Sequence, residues 1–129
     1  MVIIIICYNF LLLTSMLNLL VIRSSNPAQH ATFYQLFLPP FDYHQHGFGP
    51  MHYSVEVNGL VFEIYPLLKS QQQADSSTRL GFLVEDLDHV ISGVEKAGQQ
   101  VLIQPQQSEW GYRAVVQDPD GRKVELLEV

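Results

Sequence analysis

Between Leu17 and Val129 the spacing of apolar residues changes several times, and each change marks an element. Leu17 to Ile22 is a short, nearly continuous apolar run and reads as the first strand. Asn26-Pro27 follows with an N-cap residue and a proline suited to the first helical position. Phe33, Leu36 and Phe37 supply that helix with a buried stripe, and Pro39-Pro40 stops it. Phe41 to His46 and Met51 to Val57 read as strands around the Gly47-Phe48-Gly49-Pro50 turn. Asn58-Gly59 then closes a tight hairpin onto a strand from Leu60 to Leu67.

The same order returns after a polar linker, Lys69 to Thr78, which has no apolar period. A strand from Leu80 to Val84 leads to a helix entered at Asp86 or Asp88 and ended by Gly98, with Val90, Ile91, Val94 and Ala97 as its apolar face. Strands follow around Val101 to Ile103, Tyr112 to Gln117 and Lys123 to Val129, with Asp118-Pro119-Asp120-Gly121 turning between the last two. The pattern predicts an α+β fold made of two βαβββ modules, residues 17–68 and 79–129. Each half is too small to bury its own sheet face, so both belong to a single domain over 17–129 with a shared cleft.

The hairpin turn also sets a register. A two-residue loop at Asn58-Gly59 pairs Val57 with Leu60, Glu56 with Val61, Ser54 with Glu63 and His52 with Tyr65. Alternation then places His52, Ser54, Glu63 and Tyr65 on one sheet face. Glu63 follows its turn glycine, Gly59, by four residues, and Glu125 stands at the same distance after Gly121. The two modules therefore each carry a carboxylate within an otherwise apolar last strand.

Composition limits the function classes. The chain has 129 residues, 47% of them hydrophobic and 16% charged, which suits one globular domain. A formal net charge of -6 repels phosphate backbones, so nucleic acid is not expected as a partner. The single cysteine, Cys7, has no partner for an internal disulfide, and a cytoplasmic location is the expectation. Met1 to Ile22 contains no charged side chain and is long enough to cross a hydrocarbon layer of about 30 Å. It lacks a basic flank and a clear cleavage site, and Leu17 to Ile22 is needed as the first strand. Residues 1–16 are accordingly read as an apolar extension dispensable to the fold, with Met16 a sensible start; a membrane anchor or export signal is the alternative. The chain has no phosphate-cradling glycine loop, no cysteine pair and no nucleophile with an activating base in motif spacing.

Three stretches carry a resemblance to a known family: Arg79-Leu80-Gly81-Phe82-Leu83-Val84-Glu85-Asp86-Leu87-Asp88, Trp110-Gly111 before a strand, and Asp118-Pro119-Asp120-Gly121 with Glu125. From Leu17 to Val129 the chain resembles the vicinal oxygen chelate superfamily, which includes glyoxalase I, extradiol dioxygenases and the bleomycin- and fosfomycin-resistance proteins. That resemblance implies a metal site with four ligands, one from the first and one from the last strand of each module. Glu63 and Glu125 match the last-strand positions, whereas Leu19 and Arg79 fall on the first-strand positions. Leucine has no lone pair and guanidinium no acceptor, so the usual metal is not expected. Arg79 is expected to stand in for the cation by pairing with Glu63, Glu125 or both.

The resemblance also turns Glu63 toward the cleft, which brings His52 diagonally within its reach. A partial site for a divalent metal from His52, Glu63 and Glu125 is the alternative to a metal-free cleft. His44 and His46 share a strand face, but their strand is the one expected farthest from the central positions, so they are assigned to a substrate rim or solvent. His30 and His89 fall on helices and read as surface residues. The ligand-binding set is thus Glu63, Arg79, Glu125, His52, Tyr65 and Trp110, with Phe82 as a further apolar contact; no catalytic residue is assigned. The expected function is binding of a small polar or aromatic molecule in the cleft. The alternative is a metal-dependent glyoxalase-like lyase or isomerase, or a thiol transferase. A homodimer is compatible with the resemblance.

Overall fold

The structure is a computed structural model that describes residues 15–129. Cys7 and nearly all of the predicted apolar extension lie outside the described residues. Among the described residues, no helix is long and apolar enough to cross a membrane.

The first module runs β1 (Leu19–Ser24), α1 (Pro27–Tyr34), β2 (Asp42–His44), β3 (His52–Val57) and β4 (Leu60–Pro66). The second runs β5 (Leu80–Val84), α2 (Leu87–Lys96), β6 (Val101–Ser108), β7 (Gly111–Gln117) and β8 (Lys123–Glu128). Each module forms a four-stranded sheet, in the orders β1-β4-β3-β2 and β5-β8-β7-β6. The first strand of each lies parallel to the last, and the remaining pairs are antiparallel. This is the vicinal oxygen chelate fold, with the predicted α+β class and the predicted βαβββ order in both halves.

Local chemistry fixes the element ends. Asn26 caps α1 by accepting from the Gln29 backbone N–H at 3.2 Å, and Asp86 caps α2 by accepting from that of His89 at 3.2 Å. Asn58 and Gly59 adopt φ of 51° and 88°, the pair of positive values that a two-residue hairpin turn needs. The resulting register pairs Val57 with Leu60, Glu56 with Val61 and Ser54 with Glu63, as predicted. β6 extends well past the expected Ile103 and carries Pro105; as the edge strand it can accommodate a residue with no N–H to donate.

The core crosses from one module to the other. Tyr34, Phe62 and Ile64 are buried with Val116, Val124 and Leu126, and the Tyr34 and Phe62 rings meet edge to face at 5.0 Å. Phe82 of the second module packs on this group, 6.0 Å from Tyr34 and 5.3 Å from Phe37. Its ring is partly buried and packs against this core. Alternation along β5 explains why: Leu80 and Val84 are buried, so Phe82 lies on their side of the strand while Gly81 and Leu83 face out.

A polar joint reinforces the apolar one. The turn after β7 sends Asp118 inward, where one carboxylate oxygen accepts from the backbone N–H groups of Asp120 and Arg122 at 2.9 and 3.0 Å. The other accepts from the Tyr34 hydroxyl at 2.8 Å and from Arg122 Nη1 at 3.2 Å, with His30 Nε2 at 3.5 Å. Arg122 Nη2 donates in turn to the Arg23 carbonyl at 2.6 Å, and Ser25 Oγ donates to Asp120 at 2.8 Å. Burial alone raises the Asp118 pKa, but the nearby His30 imidazole and the hydrogen bonds from Tyr34 and the Arg122 backbone outweigh it and hold the group at about 2. The Tyr34 hydroxyl is pushed far above its ordinary value by burial and by the neighbouring Asp118 charge. His30 is fully buried in this joint, which corrects its assignment to the surface: helix position alone does not reveal that α1 packs against the opposite module's turn.

Candidate functional site

Alternation along the last strand of each module separates core from site. On β8, Val124 and Leu126 point into the core, leaving Glu125 and Leu127 on the other face. Arg113 on β7 is paired with Leu127 and so lies diagonally across from Glu125. Its guanidinium donates from Nε and Nη2 to Glu125 Oε1 at 3.1 and 3.0 Å. Arg79 Nη2 reaches the second oxygen, Oε2, at 2.6 Å. Both carboxylate oxygens are thus engaged by arginine, with the predicted Arg79 pairing directed at Glu125. Arg79 makes no contact with Glu63, which belongs to a separate group.

These residues line a cavity of about 530 Å³ together with Trp110 and Leu127. Trp110 is 66% exposed, so its indole is open to solvent rather than buried in the core. Arg113 lies over it, 5.6 Å from the ring centroid, which sets a cationic group beside an aromatic surface. Two guanidinium groups face one carboxylate here, so the cavity holds an excess of positive charge. Arg113 is the residue that sequence reasoning missed. Its signal was present in the chain, since β7 alternation and the register of the Asp118–Gly121 turn together place it on the Glu125 face.

The first module presents a different chemistry. Glu63 is buried at the corresponding place on β4, with Ser54 opposite it on β3. His52 is 1% exposed, and its Nε2 stands 3.4 Å from Glu63 Oε2 while its ring stacks on Tyr65 at 4.0 Å with a 9° tilt. His52 and Tyr65 therefore share the Glu63 face, as the hairpin register requires. His46 Nε2 also approaches Glu63 Oε2, at 3.7 Å. His44 is paired with His52 across β2 and β3, and their rings lie 4.6 Å apart. The rim expected for His44 and His46 thus lies beside Glu63: strand pairing sets His44 against His52, and the connection after β2 brings His46 to the carboxylate.

Of the four positions at which a metal was implied, Leu19 offers no donor atom, Arg79 is a cation, and both oxygens of Glu125 are paired with guanidinium groups. The alternative set of His52, Glu63 and Glu125 is likewise divided, because Glu63 and His52 sit with the histidines while Glu125 sits with Arg79 and Arg113.

The sequence profile of the Glyoxalase/Bleomycin resistance protein/Dioxygenase superfamily matches residues 17–126. No curated protein sequence matches the chain. Several solved structures are similar. TnmS3, an antibiotic binding protein from Streptomyces sp. CB03234, superposes with a TM-score of 0.67 at 23% identity, covering 89% of this chain and 96% of that one. A glyoxalase/bleomycin resistance protein/dioxygenase family enzyme from Burkholderia phytofirmans PsJN gives a TM-score of 0.70 at 16% identity, covering 89% and 99%. The oxidase ChaP-H2 gives 0.70 at 20%, covering 90% and 94%. At these identities the similarity is one of fold, and the same fold carries both a binder and enzymes.

Proposed function

Because the chain belongs to the Glyoxalase/Bleomycin resistance protein/Dioxygenase superfamily, we propose that it binds a small aromatic or polar molecule bearing an anionic group, without the superfamily's usual four-ligand metal set. The observation that carries this reading is the double clamp of Arg79 and Arg113 on Glu125 beside the open Trp110 indole. A planar ring can lie on the indole, and the excess guanidinium charge favours a carboxylate, sulfonate or phenolate on that ring. A binding role is in keeping with TnmS3, a protein of this fold that binds an antibiotic.

Trp110 is the single tryptophan of the chain, so its emission reports directly on this cavity. A panel of aromatic acids, catechols, glutathione adducts, fosfomycin and glycopeptide antibiotics should contain a class that quenches Trp110 saturably and raises the melting temperature. An absence of both effects across the panel, with and without divalent metals, would overturn the reading.

A homodimer is part of this proposal. Leu19, Val21 and Leu83 are large apolar side chains left exposed on the first strands of the two sheets, a distribution that pairing of copies would cover. Sedimentation equilibrium distinguishes a dimer from a monomer. The second functional reading, a metal-dependent lyase, isomerase or thiol transferase in the cytoplasm, draws on a different observation, the imidazoles gathered at Glu63.

A further inference from the structure

We propose that His44, His46, His52 and Glu63 form a binding site for a divalent transition metal of the zinc class, built from one module and distinct from the implied four-ligand set. Each residue contributes one ligand atom, and all four atoms lie within 4.8 Å of one another. A tetrahedral ion with bonds of about 2.0–2.2 Å needs its ligands about 3.4 Å apart, so small side-chain rotations complete the shell. The His52–Glu63 separation is already 3.4 Å and the His46–Glu63 separation 3.7 Å.

The state of the nitrogens points the same way. His52 Nδ1 lies 3.1 Å from the Pro50 carbonyl oxygen, which has only lone pairs to offer, so the proton of the ring sits on Nδ1. That bond fixes the tautomer and aims the Nε2 lone pair at Glu63, an arrangement typical of the outer support of a metal-bound histidine. Nε2 makes no hydrogen bond, and neither does the buried Nε2 of His44. Buried polar atoms ordinarily find partners. A lone pair facing a carboxylate oxygen at 3.4 Å is repulsive, and a cation between them removes the repulsion for both. Tyr65 stacked on His52 holds the ring in place from the other side.

Donor type selects the ion. Three imidazoles and one carboxylate suit zinc, copper, nickel or cobalt and disfavour magnesium and calcium, which require mostly oxygen. The sequence explains why the site forms. His44 and His46 are two apart and share a face, β2 pairs His44 with His52, and the Asn58-Gly59 register brings Glu63 beneath them.

The test is titration of full-length, chelator-treated protein with zinc by calorimetry, and with cobalt by visible absorption, where a tetrahedral complex gives intense bands. We expect one ion per chain and an increase in melting temperature that magnesium does not reproduce. His46 is largely exposed, so His46→Ala should fold normally and weaken zinc at least about tenfold; Glu63→Gln should do the same. Circular dichroism confirms that both variants fold. Zinc binding that neither variant alters, or no zinc binding by the wild-type chain at 100-fold molar excess, would overturn the proposal. Trp110 quenching by organic ligands is read separately, so failure here leaves the binding role of the other cavity testable.

Discussion

The Tyr34 hydroxyl donates to Asp118 across the module boundary at 2.8 Å, joining two residues 84 positions apart in the chain. Both groups are buried, and the ring of Tyr34 simultaneously packs on Phe62 and Phe82. A single side chain therefore serves the apolar and the polar halves of the joint. Tyr34→Phe preserves the ring and removes the donor, so the loss isolates the hydrogen bond. The expected cost is about 1.5–3 kcal/mol, the range for a bond to a charged acceptor, measured by urea denaturation.

The same pair predicts the shape of the pH profile. Asp118 has a folded pKa of about 2 against an ordinary 3.8, so its contribution is fully present above about pH 4 and disappears as pH falls through 2. That contribution is about 2 kcal/mol. Tyr34 is shifted upward, so its contribution is complete below its ordinary value near 10 and declines as pH rises beyond that. His30, Asp120 and Arg122 face the pair and share its electrostatics. Melting temperatures across pH should fall at both extremes. Asp118→Asn should flatten the acid limb, and Tyr34→Phe the alkaline limb.

Arg113 and Arg79 separate binding from stability. Both pair with Glu125, but the contacts lie at a partly solvated surface where an ion pair contributes less than about 1 kcal/mol. Arg113→Ala should leave the denaturation midpoint almost unchanged while reducing ligand quenching of Trp110 by at least about tenfold. A large loss of stability with unchanged quenching would mean that the clamp is structural.

Two glycines should respond in opposite directions to alanine. Gly59 has φ of 88°, and a Cβ there meets no atom within 4 Å, so the penalty is purely one of backbone conformation. Gly59→Ala should cost about 1–2 kcal/mol. Gly93 lies inside α2 with equally open surroundings and ordinary helical φ, so Gly93→Ala should stabilise by about 0.5–1 kcal/mol. Chemical denaturation of both variants measures the contrast.

The elements were legible in the sequence wherever a local rule governs them. Asn26-Pro27, Asp86, Asn58-Gly59 and Gly98 each act on backbone within a few residues of themselves, and each marks the boundary it predicted. The Ser54–Glu63 pairing was legible for the same reason, and with it the approach of His52 to Glu63. What the sequence concealed depends on packing between distant segments. Periodicity places His30 on a helix but does not reveal that the helix faces a turn of the other module, and it assigns His44 and His46 to a shared face without showing where that face folds. The joint around Asp118 belongs to this second kind. The turn motif announced a bend, and its buried carboxylate became visible only with the partner that it meets.

That joint exists on one side of the duplication alone. The corresponding first-module turn is the two-residue Asn58-Gly59 loop, with no counterpart to Asp118 or Arg122. An exchange of halves between two copies would rebuild every contact of the joint in the final dimer, so the equilibrium would hardly register it. The passage between the two forms is another matter, because Arg122 and Asp118 must leave a buried site together and regain water before new partners arrive. The consequence is kinetic: the joint should slow any exchange of halves once the protein has folded.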